Sequence, residues 1–281
     1  MSLQNSVFFI AEAGINHNGD LENAFRLIRM AKNAGCDAVK FQKREPEVCI
    51  PIEMRSVMRE TPWGKLSYFD YKKKIEFGEN EYNEINKYCK DLEITWSASA
   101  WDVQSLEFLD SFDLEFNKVA SALTTNTEFL EHVADRGKLT YLSVGMCTYE
   151  NIDAAVAIFK SKNCPLVLMH TISNYPAEER HLNLKMIETL KERYKLPVGY
   201  SGHESSVTPS IVAATLGAVA IERHITLDRA MWGTDHAASL EITGLTNLVG
   251  AIRKIEIVLG DGVKKTVPGE LEMAKKMRYW N

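Results

Sequence analysis

One pattern constrains this chain more than any other: short apolar, β-branched runs alternate with segments of helical period along its whole length. The spacing predicts strands over Val7–Ala13, Ala38–Lys43, Thr95–Ala100, Phe116–Ser121, Thr140–Gly145, Leu166–Thr171, Pro197–His203 and Ala218–Thr226. Between them, apolar residues three and four apart predict helices over Leu21–Asn33, Glu81–Leu92, Val103–Phe112, Thr127–Arg136, Tyr149–Ser161, Leu184–Tyr194 and Ser206–Leu216, and a last one, Leu245–Leu259, follows the eighth strand. Gly35, Gly137 and Gly217 stand where helix C-terminal stops belong. Eight strand–helix units predict an α/β fold, a single-domain (β/α)8 TIM barrel over residues 1–281. Such a barrel takes about 250 residues, so little chain is left over. One connection breaks the rhythm. Residues 44–80 carry Pro46, Pro51, Pro62, Trp63, Tyr68, Tyr71 and the basic run Lys72, Lys73, Lys74. A link of that size without predicted structure reads as a lid or partner contact, or as an excursion whose aromatics pin it to the barrel rim.

Charge and cysteine usage narrow the function classes. The 33 Lys and Arg against 38 Asp and Glu give a net charge of -5, which argues against a nucleic-acid binder held by phosphate neutralisation. Any anionic ligand must then be held by a local basic site. The longest apolar stretches, such as Ile211–Ile221, fall short of the roughly 18 residues that cross a bilayer, so no membrane partner is expected. Met1-Ser2-Leu3-Gln4-Asn5 has no secretory pattern, its first three residues are compatible with an expression scar, and a cytoplasmic protein is expected. The five cysteines are odd in number with no CxxC pair, which predicts reduced thiols. Cys147 follows a strand end, yet no general base lies near it in sequence.

In a barrel of this kind reacting groups sit where strands end and loops begin. Glu12 ends an otherwise apolar first strand, and a carboxylate there is either an acid/base or substrate anchor, or half of an ion pair with a lysine on a neighbouring strand. His17, between Asn16 and Asn18, reads as a turn and capping device. Lys40 and Gln42 end the second strand, and Lys118 and Ser121 the fourth. Either lysine alone is compatible with a buried Schiff base. Two inward ammonium groups together favour a carboxylate or phosphate ligand. Ser99, Ser143, Thr171 and Ser201 end other strands, where small hydroxyls suit phosphate oxygens. The seventh strand ends Gly199-Tyr200-Ser201-Gly202-His203 and the eighth Ile221-Glu222-Arg223-His224. Adjacent parallel strands lie about 4.8 Å apart, so His203 and His224 at equivalent heights are within reach of one divalent metal; a rim pair of hydrogen-bonded histidines is the alternative. Asp235 and His236 follow on the same rim.

These motifs resemble the sialic acid synthase family: Ile10-Ala11-Glu12-Ala13-Gly14-Ile15-Asn16-His17-Asn18-Gly19-Asp20, Val39-Lys40-Phe41-Gln42-Lys43, Gly199-Tyr200-Ser201-Gly202-His203-Glu204 and Glu222-Arg223-His224-Ile225-Thr226-Leu227-Asp228, supported by Asn174-Tyr175-Pro176 and Gly233-Thr234-Asp235-His236. The resemblance covers about residues 7–278 in order. It implies condensation of phosphoenolpyruvate with an N-acetylated amino sugar, such as N-acetylmannosamine or its 6-phosphate, to a nine-carbon 2-keto acid and phosphate. It implies a divalent metal, Mn2+ or Mg2+, on His203 and His224, and phosphoenolpyruvate on Lys40, Ser99, Lys118, Ser121, Ser143 and Ser201. Glu12, Gln42, Tyr175 and Asp235 would face the sugar and the attacking water.

Two departures stand out. Where the family has an acid touching the sugar hydroxyls, in Gly-Ser-Gly-Glu, this chain has Ala120-Ser121-Ala122-Leu123. Family members also continue into an antifreeze-like domain that is absent here, which leaves open a homodimer without it and a separate antifreeze-like protein as partner. The alternatives are condensation with a different sugar aldehyde, such as a phosphorylated pentose, and a non-catalytic sugar- or partner-binding barrel.

Overall fold

In a computed structural model, which describes residues 6–280, the eight expected strands form a closed, all-parallel barrel. The N-terminal segment read above for export and cloning features, residues 1–5, lies outside the described residues, as does residue 281. The barrel strands are β1 (Phe8–Gly14), β2 (Ala38–Lys43), β3 (Thr95–Ala100), β4 (Phe116–Val119), β5 (Leu139–Ser143), β6 (Leu166–Thr171), β7 (Val198–Gly202) and β8 (Ala220–His224). They pair in sequence order and β8 closes on β1. Helices Leu21–Ala34, Glu79–Asp91, Val103–Asp110, Thr127–Asp135, Tyr149–Ser161, Met186–Tyr194, Thr208–Thr215 and Ile242–Val258 follow the eight strands in turn. Gly35 ends the first at φ 83°, and its N–H reaches the carbonyls of Ala31 and Lys32, as a glycine stop requires.

Alternation along the strands sorts the chemistry. Inward residues at the N-terminal ends are apolar: Ile10, Ala38, Phe116, Tyr141, Val167, Met169 and Ala220 form one buried cluster. Two residues further along, the inward positions turn polar: Glu12, Lys40, Lys118, Ser143, Thr171 and Glu222, all buried. Because strand side chains alternate with a period of two, each strand thereby carries an apolar floor and a charged mouth on one face. The outward face packs Phe9, Ala11, Val39, Phe41, Leu142 and Leu168 against the helices in the larger core. Gly199 is needed where β7 crosses the floor, since a Cβ there would lie 2.5 Å from Met169 Sδ and 2.7 Å from the Ala220 carbonyl oxygen.

Two expectations are corrected. β4 stops at Val119, because the chain turns through a 3-10 helix, Ser121–Leu123. That turn is tied to the next strand: Ser121 Oγ accepts the Gly145 N–H at 3.0 Å, and Thr124 Oγ1 donates to the Ser143 carbonyl at 2.7 Å. The 44–80 connection is not structureless. It holds single turns Pro46–Cys49 and Ile52–Arg55, an antiparallel hairpin of Met58–Thr61 with Gly64–Ser67, and helix Tyr68–Ile75. Its aromatics do pin it to the rim: Ile15, Tyr71 and Ile75 form a buried cluster with Trp232 packed on it. Gly19 lets the helix approach, for a Cβ there would meet the Lys74 carbonyl oxygen at 2.6 Å. A helix not foreseen in the sequence, Glu270–Met277, lies on the surface with no buried residue. Among the described residues no helix is long and apolar enough to cross a membrane.

Candidate active site

Strand register assembles the mouth. Glu12 pairs across the sheet with His224 on one side and Lys40 on the other, Ser99 with Lys118, and Ser201 with Glu222. The result is a buried charge network. Lys40 Nζ lies 2.5 Å from Glu12 Oε2 and donates to Ser99 Oγ at 2.8 Å. Lys118 Nζ donates to Ser143 Oγ at 2.7 Å. Glu222 reaches between them, 3.9 Å from Lys40 and 3.6 Å from Lys118, and accepts from Ser201 Oγ at 3.1 Å. Gln42 donates to Glu12 Oε1 at 3.1 Å. Burial and the neighbouring Lys40 charge pull the Lys118 ammonium below its ordinary pKa, against the Glu222 carboxylate, which raises it. Burial likewise opposes the charge on Glu222, but the Lys118 and Lys40 ammonium groups outweigh it and hold the carboxyl below the usual range.

The two histidines meet at the edge of this network with ring centroids 5.5 Å apart, and the Tyr175 ring stacks 4.1 Å from His203. His203 Nδ1 donates to the Ile172 carbonyl at 2.8 Å, which leaves Nε2 with a free lone pair. Burial, followed by the nearby His224, lowers its pKa to about 3, so the imidazole is neutral. His224 Nδ1 is buried without a hydrogen-bond partner and lies 4.0 Å from Asp235 Oδ2. Burial acts against the Asp235 carboxylate, yet His224, the Thr234 hydroxyl, Lys72 and Arg44 hold its pKa down. Two neutral imidazoles, one fixed by a carbonyl behind it and the other carrying an orphaned nitrogen, fit a divalent metal that keeps open positions. Among the described residues no group of three or more His, Cys, Asp or Glu side chains converges for one, so water and substrate would complete the shell.

The outward residues of the same motifs have a different role. Arg223 is fully buried, 2.9 Å from Glu204 Oε1, and its guanidinium also meets Ser210 Oγ and the carbonyls of Ser206 and Glu204. Tyr200 donates to Glu204 Oε2 at 2.7 Å. This pair locks the chain on either side of His203 and His224. His17 is the turn device expected of it: Nδ1 accepts the Gly19 N–H at 3.1 Å, and the ring stacks 4.0 Å from Phe77. Cys147 is no nucleophile. Burial pushes its thiol pKa up, and the thiol donates to the Gly145 carbonyl.

All twelve residues singled out in the sequence, including Ser121 and Tyr175, thus belong to one end of the barrel. Glu222, which bridges the two lysines, was not among them. It stands two residues before His224, so the same alternation that aims the histidine inward aims it too. Arg44 was also missed: it stacks 3.7 Å from the Trp101 ring and donates to Gln42 Oε1 at 2.6 Å, beside the glutamine that meets Glu12.

A closed barrel with its buried ionisable groups gathered at the C-terminal ends of the strands defines an enzyme of the (β/α)8 class. Residues 27–264 match the NeuB family, and the chain belongs to that family. It is similar to the N-acetylneuraminate-9-phosphate synthase of Homo sapiens, 37% identical over 98% of this chain and 77% of the relative. It is also similar to the N,N'-diacetyllegionaminic acid synthase of Legionella pneumophila, 35% identical over 96% of this chain and 78% of that one. Among solved structures, the N-acetylneuraminic acid (sialic acid) synthetase of Leptospira borgpetersenii, in complex with citrate, superposes with a TM-score of 0.85 at 34% identity, covering 98% of this chain and 93% of that chain.

Proposed function

We propose that this enzyme condenses phosphoenolpyruvate with an N-acetylated amino sugar to give a nonulosonic, sialic-type acid and phosphate, using Mn2+ or Mg2+ held by His203 and His224. The observation that carries the reading is the pair of buried ammonium groups, Lys40 and Lys118, bridged by Glu222 beside two neutral imidazoles. Lys40 with Ser99, and Lys118 with Ser143 and Ser201, would bind the carboxylate and phosphate of phosphoenolpyruvate; Ser121 would join them. Glu12, Lys40, Glu222 and Lys118 sum to zero charge, so these four groups alone give an anion no net attraction. When bound, the metal would add positive charge and act as a Lewis acid towards the sugar's aldehyde oxygen.

In the reaction the family uses, C3 of phosphoenolpyruvate bonds to the aldehyde carbon, water adds at C2, and phosphate leaves with C–O cleavage. Glu12, fixed by Lys40 and Gln42, faces that chemistry as the carboxylate able to orient the water and hold its proton. Leu123 packs against the core, so the 3-10 turn gives no carboxylate to the sugar. Contacts to the sugar then fall to Gln42, Tyr175 and Asp235.

Amino sugars and pentose phosphates offered with phosphoenolpyruvate and Mn2+, followed by phosphate and 2-keto acid formation, test the reading. Turnover of an N-acetylated hexosamine is expected; turnover of pentose phosphates alone, or of no sugar, overturns it. His224→Ala is expected to abolish metal-dependent phosphate release while leaving the circular dichroism spectrum intact, and undiminished turnover would refute the metal assignment.

A further inference from the structure

Above the sugar-facing edge of the mouth lies a group of cations that the chemistry so far does not use. Lys72, on helix Tyr68–Ile75, is only 9% exposed, yet among the described residues it has no hydrogen bond and no ion pair; it meets the faces of Tyr68 and Tyr71 at 5.6 and 5.2 Å. Arg59, on the hairpin, shares the Tyr68 ring with it at 4.4 Å and also has no ion pair among the described residues. Arg44 Nε is buried without a partner, while the other end of its guanidinium meets Gln42. A buried ammonium is costly unless paired, and two cations on one ring repel each other unless an anion joins them.

The nearby carboxylates do not supply that anion. Glu76 is taken by Lys43 and the Arg44 N–H, both at 3.0 Å. Asp235 is turned to Thr234, at 2.7 Å, and to His224. Glu60 is exposed on the hairpin. A cavity of about 680 Å3, lined by Arg59, Tyr71, Trp232 and Thr234, opens between the hairpin and the loop that carries Asp235. It is continuous in residue order with the sugar-facing groups, through Thr234 to Asp235.

We propose that Lys72 and Arg59, with Arg44 at their edge, form an anion subsite that receives a phosphomonoester on the far end of the sugar, making the substrate a hexosamine 6-phosphate. A phosphomonoester near two charges complements these cations after Asp235 is counted. Placing the three carbons of phosphoenolpyruvate ahead of the aldehyde turns C6 of a hexosamine into C9 of the product, the position named in the human relative. The inference rests on the condensation reading of the mouth.

Its test compares N-acetylmannosamine with N-acetylmannosamine 6-phosphate, each with phosphoenolpyruvate and Mn2+, in the natural chain and in Lys72→Met and Arg59→Gln. The natural chain is expected to favour the phosphorylated sugar in kcat/KM. Each variant should lose about ten- to a hundredfold on that sugar, the range of one charge-assisted hydrogen bond, and little on the other. Equal loss on both sugars, or preference for the unphosphorylated one, overturns the subsite while condensation stands. If neither sugar turns over, condensation fails, and calorimetric titration with the two sugars at saturating phosphoenolpyruvate decides the subsite separately. Tighter binding of the phosphorylated sugar that Lys72→Met removes and Lys72→Arg restores upholds it; equal or absent binding overturns it.

Discussion

Glu204→Gln tests how the metal-facing histidines are held. Glu204 and Arg223 are both fully buried, 2.9 Å apart, and Tyr200 and Ser210 donate to the same carboxylate. The glutamine keeps the shape and one acceptor oxygen but strands the Arg223 charge, and breaking a buried pair this way costs about 3–5 kcal/mol. Unfolding entropy of about 2.1 cal/mol/K per residue gives roughly 0.6 kcal/mol/K for this chain, so Tm should fall by about 5–8 °C. Urea unfolding followed by circular dichroism measures the same loss as a lower midpoint at unchanged slope. Since Glu204 adjoins His203 and Arg223 adjoins His224, Mn2+ affinity measured calorimetrically on the folded variant should weaken as well. Replacing both partners with apolar residues, Glu204→Leu with Arg223→Met, should recover much of the stability, because no lone charge is left buried. A single variant within about 1 kcal/mol of the natural chain would refute the argument that this pair carries the register of β7 and β8.

Three further outcomes follow from the packing and the charges. Glu222→Gln removes the carboxylate that raises the Lys118 pKa, so the alkaline limb of the rate profile should move to lower pH; an unmoved limb would show that Lys118 does not depend on it. Burial lowers the His17 pKa to about 3, so the neutral ring contributes stability that is complete above about 6.5 and lost as pH falls towards 3. His17→Phe should cut the slope of stability against pH in that window by about 1.4 kcal/mol per unit, read from urea midpoints. Gly199→Ala should destabilise by about 1–3 kcal/mol in the same assay, because the added Cβ meets the Ala220 backbone, which cannot rotate away.

The barrel was legible because its signal is periodic and repeated: eight strands and the principal helices lie where alternation and helical spacing place them. What escaped was set by contacts between distant residues. Nothing local announces that Ser121 will leave the strand to accept the Gly145 N–H, or that the 44–80 link will fold into a hairpin and a helix around Trp232, far along the chain. The site divides in the same way. Glu12, Lys40, Lys118, His203 and His224 stand out as polar residues closing apolar strands. Glu222 was hidden inside a charged triplet until the inward and outward faces were told apart. Lys72 looked like one member of a solvated basic run, and only its packing against Tyr68 and Tyr71 sets it apart from Lys73, which is exposed and paired with Glu47.

That triplet has a consequence for folding fidelity. β8 presents Glu222 and His224 to the mouth and Arg223 to the helices. A slip of one residue against β1 or β7 would exchange the faces, placing an arginine among Lys40 and Lys118 and burying a glutamate and a histidine among aliphatic side chains. Every misregistered pairing of the closing strand is therefore penalised on both faces at once. The residues that would do the chemistry also act as an error check on the last step of barrel closure.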